Sequence, residues 1–470
     1  MTVFNHRFNP TVLREYDIRG IVGKTLSGDD AFAIGRCFGT IVKREGGSVV
    51  AVGYDGRLSS TMLEEALVKG LMACGLKVLR VGCCPTPMLY YGAYELKADG
   101  GVMVTGSHNP PDYNGFKMVL KNKPFFGAQI QQIGTMAAAG DVVEEAQGSS
   151  ETVDIADKYV ARMMQDYDGG DRELTVVWDP GNGSGGIITE KLAKVLPGKH
   201  IVINAEIDGR FPNHHPDPTV PKNLEQIIAE VKKQKADLGI AFDGDADRLG
   251  VVDDEGHMLF GDQLLVVLAR DVLKSMPGAT IIADVKASQV LFDEVEKAGG
   301  KPLMWKTGHS LIKQKMAETK APLAGEMSGH TFYADKWYGF DDAPYSAVRL
   351  LGVVARMSEK LSDVRKALPQ VINTPELRFD CPEEKKFVVV SEVKDRLAKA
   401  GANVQDVDGV RVLTEDGWWL LRASNTQAVL VARCEAKSEE GLERLKASLS
   451  EQLQASGLAA PDFSGENAGH

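Results

Sequence analysis

The chain has 470 residues, which is too long for one hydrophobic core, so its length predicts roughly three or four domains. Its 43% hydrophobic and 25% charged residues are typical of a soluble globular protein and exclude the disordered and collagen-like classes. A net charge of −11 argues against a nucleic-acid-binding surface and against binding to anionic membranes. A basic cleft for a small anionic substrate remains compatible with that charge.

The amino-terminal residues and the cysteines indicate a cytoplasmic protein. The stretch M-T-V-F-N-H-R-F-N-P lacks the apolar core of a signal peptide, and no later apolar run approaches the length of a membrane span. The six cysteines show no C-x-x-C spacing, and most of them lie in apolar patterns. We interpret the adjacent Cys83 and Cys84 as packing or loop residues rather than as a redox pair.

Strand-like and helix-like segments alternate through most of the chain, which is typical of an α/β fold. In the first part, helices alternate with strands, and the six predicted segments are 29–45, 48–54, 60–74, 77–82, 87–97 and 101–106. A polar stretch near Asp154 then indicates a domain boundary.

Two further sets of elements follow the same pattern. The second set has strands at 174–178, 200–205 and 238–242, a glycine-rich turn at 181–186 and a helix at 222–234. The third set begins near Gly256, and its helices and strands are 262–274, 279–284, 289–298 and 302–305. Because each set repeats a strand, a small-residue turn and a helix, the pattern is consistent with an internal structural triplication. The sequence identity between the sets is too low to prove such a triplication.

The order of elements changes after about Pro369. A helix at 386–400, two D-G turns between alternating strands, and a charged helix at 437–455 predict a small α+β domain on a mobile linker. We therefore expect an α/β protein with three similar mixed α/β domains followed by a smaller α+β C-terminal domain. The expected domains are 1–154, 155–256, 257–368 and 369–470.

The segment D-G-D-A-D-R at 243–248 carries three carboxylates, separated by small residues, between two apolar strands. Asp243, Asp245 and Asp247 can turn their oxygens onto one hard cation, and we predict Mg²⁺ because that ion leaves positions open for phosphate. An EF-hand is excluded since Arg248 stands where that loop requires glycine. A solvated acidic turn without a ligand is the remaining alternative.

A second motif, T-G-S-H-N-P-P, follows a strand predicted to end at Val104, and its two prolines prevent a helix from starting at once. Ser107 therefore lies at the carboxyl end of a strand, where open α/β sheets place their ligand chemistry. The motif lacks the glycines of a hydrolase elbow, so acyl transfer is disfavoured. Ser107 can instead carry a phosphoryl group, with Lys117 neutralising charge or moving a proton.

A tight turn capped by its own side chains is the alternative for this motif. His108 is not expected to act as the base of Ser107, because adjacent side chains on an extended turn point apart.

Two further loops carry groups suited to a sugar phosphate. In A-G-E-M-S-G-H, Glu326 and Ser328 offer an acceptor and a hydroxyl on a backbone that can approach a polyol closely, and His330 is a candidate ligand contact. In L-L-R-A-S-N-T-Q, one guanidinium and three short donors suit a phosphate dianion. These four residues are Arg422, Ser424, Asn425 and Thr426. Each stretch alone is compatible with an ordinary polar turn, but the four motifs together describe a sugar-phosphate site built from every domain.

The four motifs resemble those of the α-D-phosphohexomutases. In the family's order, T-G-S-H-N-P resembles the phosphoserine loop, D-G-D-A-D-R the magnesium loop, G-E-M-S-G-H the sugar-recognition loop and R-A-S-N-T the phosphate-binding loop. E-Y-D-I-R-G at 15–20 and the methionine of G-E-M-S-G-H resemble the phosphomannomutase/phosphoglucomutase branch. The sequence departs from the family at Ala246 and Ala428, where glycine and proline are more usual, but neither change removes a functional group.

The resemblance implies a heart-shaped monomer with a central cleft, in which three domains share one core and the fourth is a mobile phosphate clamp. It implies that Ser107 is phosphorylated and that Asp243, Asp245 and Asp247 hold Mg²⁺ together with that phosphate. The other implied cleft residues are Tyr16, Arg19, Lys117, Arg248, Lys286, His309 and His330, with Glu326 and Ser328 contacting the 3- and 4-hydroxyls of the sugar.

The implied reaction is reversible transfer of a phosphoryl group between C1 and C6 of mannose and glucose phosphates. Ser107 would give its phosphoryl group to a hexose phosphate and take the other one back from glucose 1,6-bisphosphate or mannose 1,6-bisphosphate. Arg248 would stabilise the transferring group beside Mg²⁺, with Lys117 as the first and His309 as the second candidate for general acid/base. A phosphoglucosamine mutase and a non-catalytic sugar-phosphate binding protein are the alternatives.

Overall fold

The fold is given by a computed structural model that describes residues 4–425 and 427–463. These residues form four sheets with helices packed around them. Among the helices of the described residues, we find none that combines the length and the apolar character needed to span a bilayer.

The first unit is built on a seven-stranded sheet. Its strands are β1 (Ile18–Ile21), β2 (Val49–Tyr54), β3 (Lys77–Cys83), β4 (Gly100–Val104), β5 (Tyr113–Leu120), β6 (Lys123–Phe125) and β7 (Ser149–Thr152). Its helices are α1 (Gly28–Arg44), α2 (Ser60–Met72), α3 (Thr86–Glu95) and α4 (Ala128–Ala139). The strand order is β1-β5-β4-β2-β3-β7, with β6 beside β5.

The second unit has a five-stranded sheet and the third a four-stranded one. The second contains α5 (Ala156–Met164), β8 (Leu174–Asp179), α6 (Gly186–Val195), β9 (Gly198–Val202), α7 (Glu225–Gln234), β10 (Leu238–Phe242), β11 (Leu249–Asp253) and β12 (Met258–Leu259). The third contains α8 (Gly261–Ser275), β13 (Thr280–Asp284), α9 (Gln289–Lys297), β14 (Lys301–Trp305), α10 (His309–Thr319), β15 (Leu323–Gly325), β16 (Thr331–Tyr333), α11 (Ala343–Arg356) and α12 (Leu361–Ala367).

The three units repeat one strand order. The matching strands run β5-β4-β2-β3 in the first sheet, β11-β10-β8-β9 in the second and β16-β15-β13-β14 in the third. In each case the last three strands are parallel, and the first is antiparallel to its neighbour. Helices connect the parallel strands, as right-handed βαβ units require. The predicted triplication is therefore confirmed by topology.

The fourth unit is an antiparallel sheet covered by two long helices. It contains β17 (Ile372–Asn373), β18 (Leu377–Asp380), α13 (Glu383–Lys399), β19 (Asn403–Gln405), β20 (Val410–Leu413), β21 (Gly417–Ala423), β22 (Val429–Ala436) and α14 (Glu439–Ala455). This matches the predicted smaller α+β arrangement.

One buried apolar cluster runs through the first three units, and the fourth has its own. The shared cluster includes Leu89 of α3, Trp178 of β8 and Tyr345 of α11, whereas the separate one packs Trp419 of β21 against Leu449 of α14. The first three units therefore form one continuous body, as the resemblance implied.

Candidate functional site

The four sequence motifs occupy equivalent positions in their sheets. Each follows a strand and leads into that strand's antiparallel neighbour: 105–112 joins β4 to β5, 243–248 joins β10 to β11, 326–330 joins β15 to β16, and 424–428 joins β21 to β22. Contacts between the loops, described below, bring their side chains into one site.

Ser107 is buried and points at the acidic loop of the second unit. Its backbone has φ of 50°, in the left-handed region, and its Oγ donates to Asp243 Oδ2 at 2.7 Å. His108 Nδ1 lies 3.2 Å from the same Oγ, so the expectation that these neighbours point apart is wrong. That expectation assumed an extended backbone, whereas the left-handed turn swings the two side chains together. Burial lowers the pKa of His108 well below its usual value, so its ring is neutral.

The three aspartates of the second motif form a buried cluster beside Ser107. Carboxylate oxygens of Asp243, Asp245 and Asp247 all lie within 4.8 Å of one another. Lys117 Nζ donates to Asp245 Oδ2 at 2.7 Å and also to Asp247. Asp245 Oδ1 and Asp247 Oδ1 are buried and accept no hydrogen bond from any described residue. Hard oxygen ligands with unused lone pairs fit a divalent cation such as Mg²⁺.

Each charge in this cluster shifts the pKa of its neighbours. Burial, together with the charges of Asp247 and Asp245, raises the pKa of Asp243 well above its usual value. Burial opposes ionisation of Asp245 as well, but the charge and hydrogen bond of Lys117 and the hydroxyl of Thr86 hold the pKa of Asp245 below its usual range. Burial would lower the pKa of Lys117, yet Asp245 and Asp247 raise it well above its usual value. Lys117 is therefore an ammonium ion that balances the aspartates.

Arg248 and two histidines line the next part of the site. Arg248 Nε donates to His330 Nε2 at 3.3 Å, and the ring of His309 stacks on that of His330 with 5.6 Å between centroids. Behind them, Asp341 Oδ2 lies 3.1 Å from His330 Nδ1, while Lys313 donates to Asp341 Oδ1 at 2.8 Å. Burial lowers the pKa of His309 well below its usual value, so this ring is neutral.

Tyr16 connects the first unit to both the third and the fourth. Its hydroxyl donates to the carbonyl of Thr307 at 3.0 Å and accepts from Asn425 Nδ2 at 2.7 Å. Arg422 Nε donates to Asp408 Oδ2 at 2.9 Å, and the same oxygen accepts from the Thr307 backbone N–H at 3.0 Å. The loop predicted to bind phosphate is thus in contact with the rest of the site.

The residues predicted to recognise the sugar lie mainly on the third unit. Glu326 is buried and accepts from the Gly308 N–H at 2.7 Å, and burial raises the pKa of its carboxyl. Ser328 is half-buried in the same turn. Lys286, also buried, donates to Glu376 of the fourth unit at 2.8 Å.

The remaining predicted residues are placed as follows. Arg19 on β1 donates to Asp17. Ser424 is buried, and its Oγ accepts from the Gln427 N–H at 3.2 Å. Thr426 lies outside the described residues.

Sequence reasoning missed several residues that support the site. Asp55 and Arg57 follow β2 and hold the Ser107 loop, and Thr86, at the start of α3, donates to Asp245. A signal was available, because all three follow parallel strands of the first sheet at the edge where ligand chemistry was expected.

The chain matches four domain families in order along its length. They are described as phosphoglucomutase/phosphomannomutase alpha/beta/alpha domain I at residues 10–143, domain II at 157–256, domain III at 260–372 and the C-terminal domain at 376–452.

Full-length relatives agree with this match. A phosphomannomutase/phosphoglucomutase of Pseudomonas putida is 48% identical over 436 residues, covering 93% of this chain and 94% of the relative. A phosphoglucomutase of Neisseria gonorrhoeae is 44% identical over 438 residues, covering 93% and 95%. The crystal structure of a phosphoglucomutase/phosphomannomutase family protein from Burkholderia thailandensis superposes with a TM-score of 0.91 at 44% identity, covering 97% of this chain and 100% of that one. The chain therefore belongs to the phosphoglucomutase/phosphomannomutase family.

Proposed function

We propose that this protein is a phosphomannomutase/phosphoglucomutase that moves a phosphoryl group between C1 and C6 of a hexose phosphate. The observation that carries the proposal is the 2.7 Å contact between Ser107 Oγ and Asp243, which puts a buried hydroxyl beside three clustered carboxylates. A hydroxyl that carries a phosphoryl group needs such a cation site next to it, because the charge of the transferring group must be balanced.

The residues present fit Mg²⁺, and Asp243, Asp245 and Asp247 would hold it together with the phosphate on Ser107. When bound, the ion supplies positive charge that draws electron density from the phosphoryl oxygens. Arg248, which points at His330 from the end of the same loop, adds a second positive charge from the protein itself.

We assign the proton transfer to Lys117 and His309. The P–Oγ bond of phosphoserine breaks as a hexose hydroxyl forms the new P–O bond, so Oγ must gain a proton and the hydroxyl must lose one. Lys117, which its aspartate partners keep protonated, is the first candidate for the acid. His309, which burial keeps neutral, is the second candidate for moving the proton.

The proposed intermediate is glucose 1,6-bisphosphate or mannose 1,6-bisphosphate, which also serves as activator by rephosphorylating Ser107. A bisphosphate must bind in two orientations, and a guanidinium with short donors suits either phosphate because such contacts do not depend on which carbon carries it. We assign this clamp to Arg422, Ser424, Asn425 and Thr426, with Lys286 beside it. Tyr16 and Arg19 complete the binding surface from the first unit.

Both glucose and mannose phosphates are proposed as substrates. Glu326 and Ser328 are assigned to the 3- and 4-hydroxyls, whereas the two sugars differ at C2, so the same contacts serve both. The name of the Pseudomonas putida relative, which carries both activities, supports this breadth, whereas the Neisseria gonorrhoeae relative is named for glucose alone.

We also propose that the protein acts as a cytoplasmic monomer, that the domains divide at 154, 256 and 368, and that the fourth moves relative to the others. The fourth unit has an apolar core of its own and meets the third through a small cluster of Val285, Trp418 and Leu420, which supports that movement.

The test is the intact mass of the purified protein, with peptide mapping of 101–117, before and after excess glucose 6-phosphate. Phosphate on Ser107 that is lost as bisphosphate appears would support the cycle. If Ser107 carries no phosphate even after exposure to glucose 1,6-bisphosphate and Mg²⁺, the proposal is wrong and a non-catalytic binding protein is favoured. Glucosamine 6-phosphate, assayed in parallel, separates the phosphoglucosamine mutase alternative.

A further inference from the structure

Arg57 lies beneath the Ser107 loop rather than on the surface that faces substrate. Its side chain is fully buried, and within the described residues its guanidinium donates hydrogen bonds to backbone carbonyls and forms an ion pair with one carboxylate. Nη2 donates to the carbonyls of Ser107 at 2.7 Å and Asn109 at 2.5 Å, and Nη1 to those of Pro110 at 2.5 Å and Tyr113 at 3.0 Å. One side chain therefore holds three carbonyls of a loop that has neither helix nor strand, together with the carbonyl of the first residue of β5.

Asp55 holds the same loop by accepting hydrogen bonds from two of the loop's donors. Its Oδ2 accepts from the Gly106 N–H at 3.0 Å and from Thr105 Oγ1 at 2.8 Å, and it lies 3.3 Å from Arg57 Nε. The carboxylate and the guanidinium thus form a buried pair in which each partner satisfies backbone groups of the loop. A buried pair with such additional hydrogen bonds fixes a geometry that either charge alone would not.

A loop of the second unit covers Arg57 from the other side. The ring of Phe211 lies over the guanidinium, with 5.2 Å between the ring centroid and Cζ, and Phe211 has φ of 51°. A left-handed backbone is rare for a bulky residue and persists only where surrounding contacts hold it. At Gly209, a Cβ atom would lie 2.6 Å from Arg57 Cα, so this approach requires glycine. The second unit, which carries the aspartates, therefore packs directly on Arg57.

We propose that Arg57 is a positioning residue for phosphoryl transfer. The backbone of Ser107 is in the left-handed region, which a serine does not favour without support. Arg57 supplies that support by donating a hydrogen bond to the Ser107 carbonyl. Phe211 fixes Arg57 relative to the second unit, so the Ser107 hydroxyl and the aspartates keep one separation. This inference rests on the proposed role of Ser107 as phosphoryl carrier.

The test compares Arg57→Lys with Arg36→Lys. Arg36 is a matched control because it is also buried in the first unit and also donates to backbone carbonyls, those of Ala73 at 3.0 Å and Val143 at 3.1 Å. Lysine keeps the charge at both positions but cannot reproduce the planar fork. We expect Arg57→Lys to lower kcat about 100-fold with KM within about threefold, because a displacement near 1 Å costs that much. Arg36→Lys should leave both constants within about threefold of wild type.

A second, milder variant keeps the test informative if Arg57→Lys does not fold. Phe211→Leu keeps Arg57 and removes only the ring over it, and we expect kcat to fall about fivefold with KM unchanged. Thermal unfolding of all variants is measured, since a merely structural role predicts that activity follows stability in the Arg36 and Arg57 variants alike.

The inference is overturned if Arg57→Lys and Phe211→Leu keep wild-type kcat, or if Arg36→Lys loses as much kcat as Arg57→Lys at equal stability. Peptide mapping of the wild type separates this failure from failure of the proposed function. Phosphate on Ser107 with unaffected variants rejects only the positioning role, whereas absence of phosphate from Ser107 rejects the proposed cycle itself.

Discussion

Lys117 of the first unit donates to Asp245 of the second across a distance of 2.7 Å. The ammonium also reaches Asp247, so it lies against two of the three carboxylates that would bind a cation. Lys117 therefore compensates the acidic cluster when no metal is bound, and it competes with the metal for the same carboxylate groups.

Removing the metal should abolish activity without unfolding the protein, because Lys117 keeps the carboxylates balanced. Chelation followed by thermal scanning and a mutase assay checks this. Lys117→Met should destabilise the metal-free form by several degrees and bind Mg²⁺ about tenfold more tightly, as measured by titration calorimetry, since a charged competitor is gone.

Lys313→Met is the control for that variant, because Lys313 is an equally buried lysine that pairs with Asp341 instead. It should leave Mg²⁺ affinity within about twofold. Unchanged or weaker Mg²⁺ binding in Lys117→Met would contradict the competition.

Glu326→Ala should raise KM about tenfold for both glucose 1-phosphate and mannose 1-phosphate, because a charged acceptor for the sugar is lost. Glu326→Gln, which keeps an oxygen for the Gly308 N–H, should raise KM less while preserving the local turn. Steady-state kinetics on the two sugars measures this. An unchanged KM for both would show that the carboxylate does not contact substrate.

His214 should make stability depend on pH. Burial lowers its pKa, but the carboxylate of Asp179, 2.9 Å from Nε2, raises it above the usual value near 6.5 overall. Between the unfolded and folded pKa values the native state binds more protons, so the free energy of unfolding falls as pH rises. The contribution is fully present below pH about 6.5 and is lost above the folded pKa.

His214→Gln should therefore lower Tm by more at pH 6 than at pH 8.5, as thermal scans at both values would measure. His200 is the control, because its pKa is shifted in the opposite direction. Burial lowers its pKa, and its Nδ1 accepts from Trp178 Nε1 at 3.0 Å, which requires the neutral ring. His200→Gln should cost less at pH 6 than at pH 8.5, and the same trend in both variants would contradict these assignments.

Ala246→Gly should be tolerated and slightly stabilising. Ala246 has φ of 55°, where a Cβ atom costs about 1–2 kcal/mol, so glycine relieves that strain in the folded state. Glycine also has greater freedom in the unfolded chain, which offsets about 0.5–1 kcal/mol of the stabilisation. A Tm one or two degrees higher with unchanged kcat is expected. A clear loss of stability would mean that the buried methyl packs too well to remove.

The backbone angle at Ala246 also explains why the family more often has glycine there. Sequence alone showed the departure, but the reason is a turn geometry that only coordinates reveal.

Parts of the fold with a clear period were predictable from sequence. The helix predicted at 60–74 is found at Ser60–Met72, and the strand predicted at 238–242 is found at Leu238–Phe242. Ala343–Arg356, a helix that is buried along nearly its whole length, was not among the predicted elements. The strand predicted at 200–205 ends at Val202, since Ile203 and its successors leave the sheet for the loop that leads to Phe211.

The residues of the candidate site also fall into those that the sequence predicts and those that it does not. Ser107 and the aspartates were predictable because three carboxylates in one short loop are chemically distinctive. Arg57 was not, because a buried arginine that donates only to carbonyls leaves no pattern in one sequence. Its role depends on how a loop of the first unit meets a loop of the second.

The hydroxyl of Tyr16 contacts the third unit at Thr307 and the fourth at Asn425, which follows it by 409 residues. Contacts thus link the four units in a ring, and the amino-terminal segment makes the contact that closes it. Trimming the first twenty or so residues of this chain, an ordinary step in preparing a protein for crystallisation, would open that ring. The product would lose most of β1 and the buried Val12 and Ile18 from the first unit, as well as the contact between the first unit and the last.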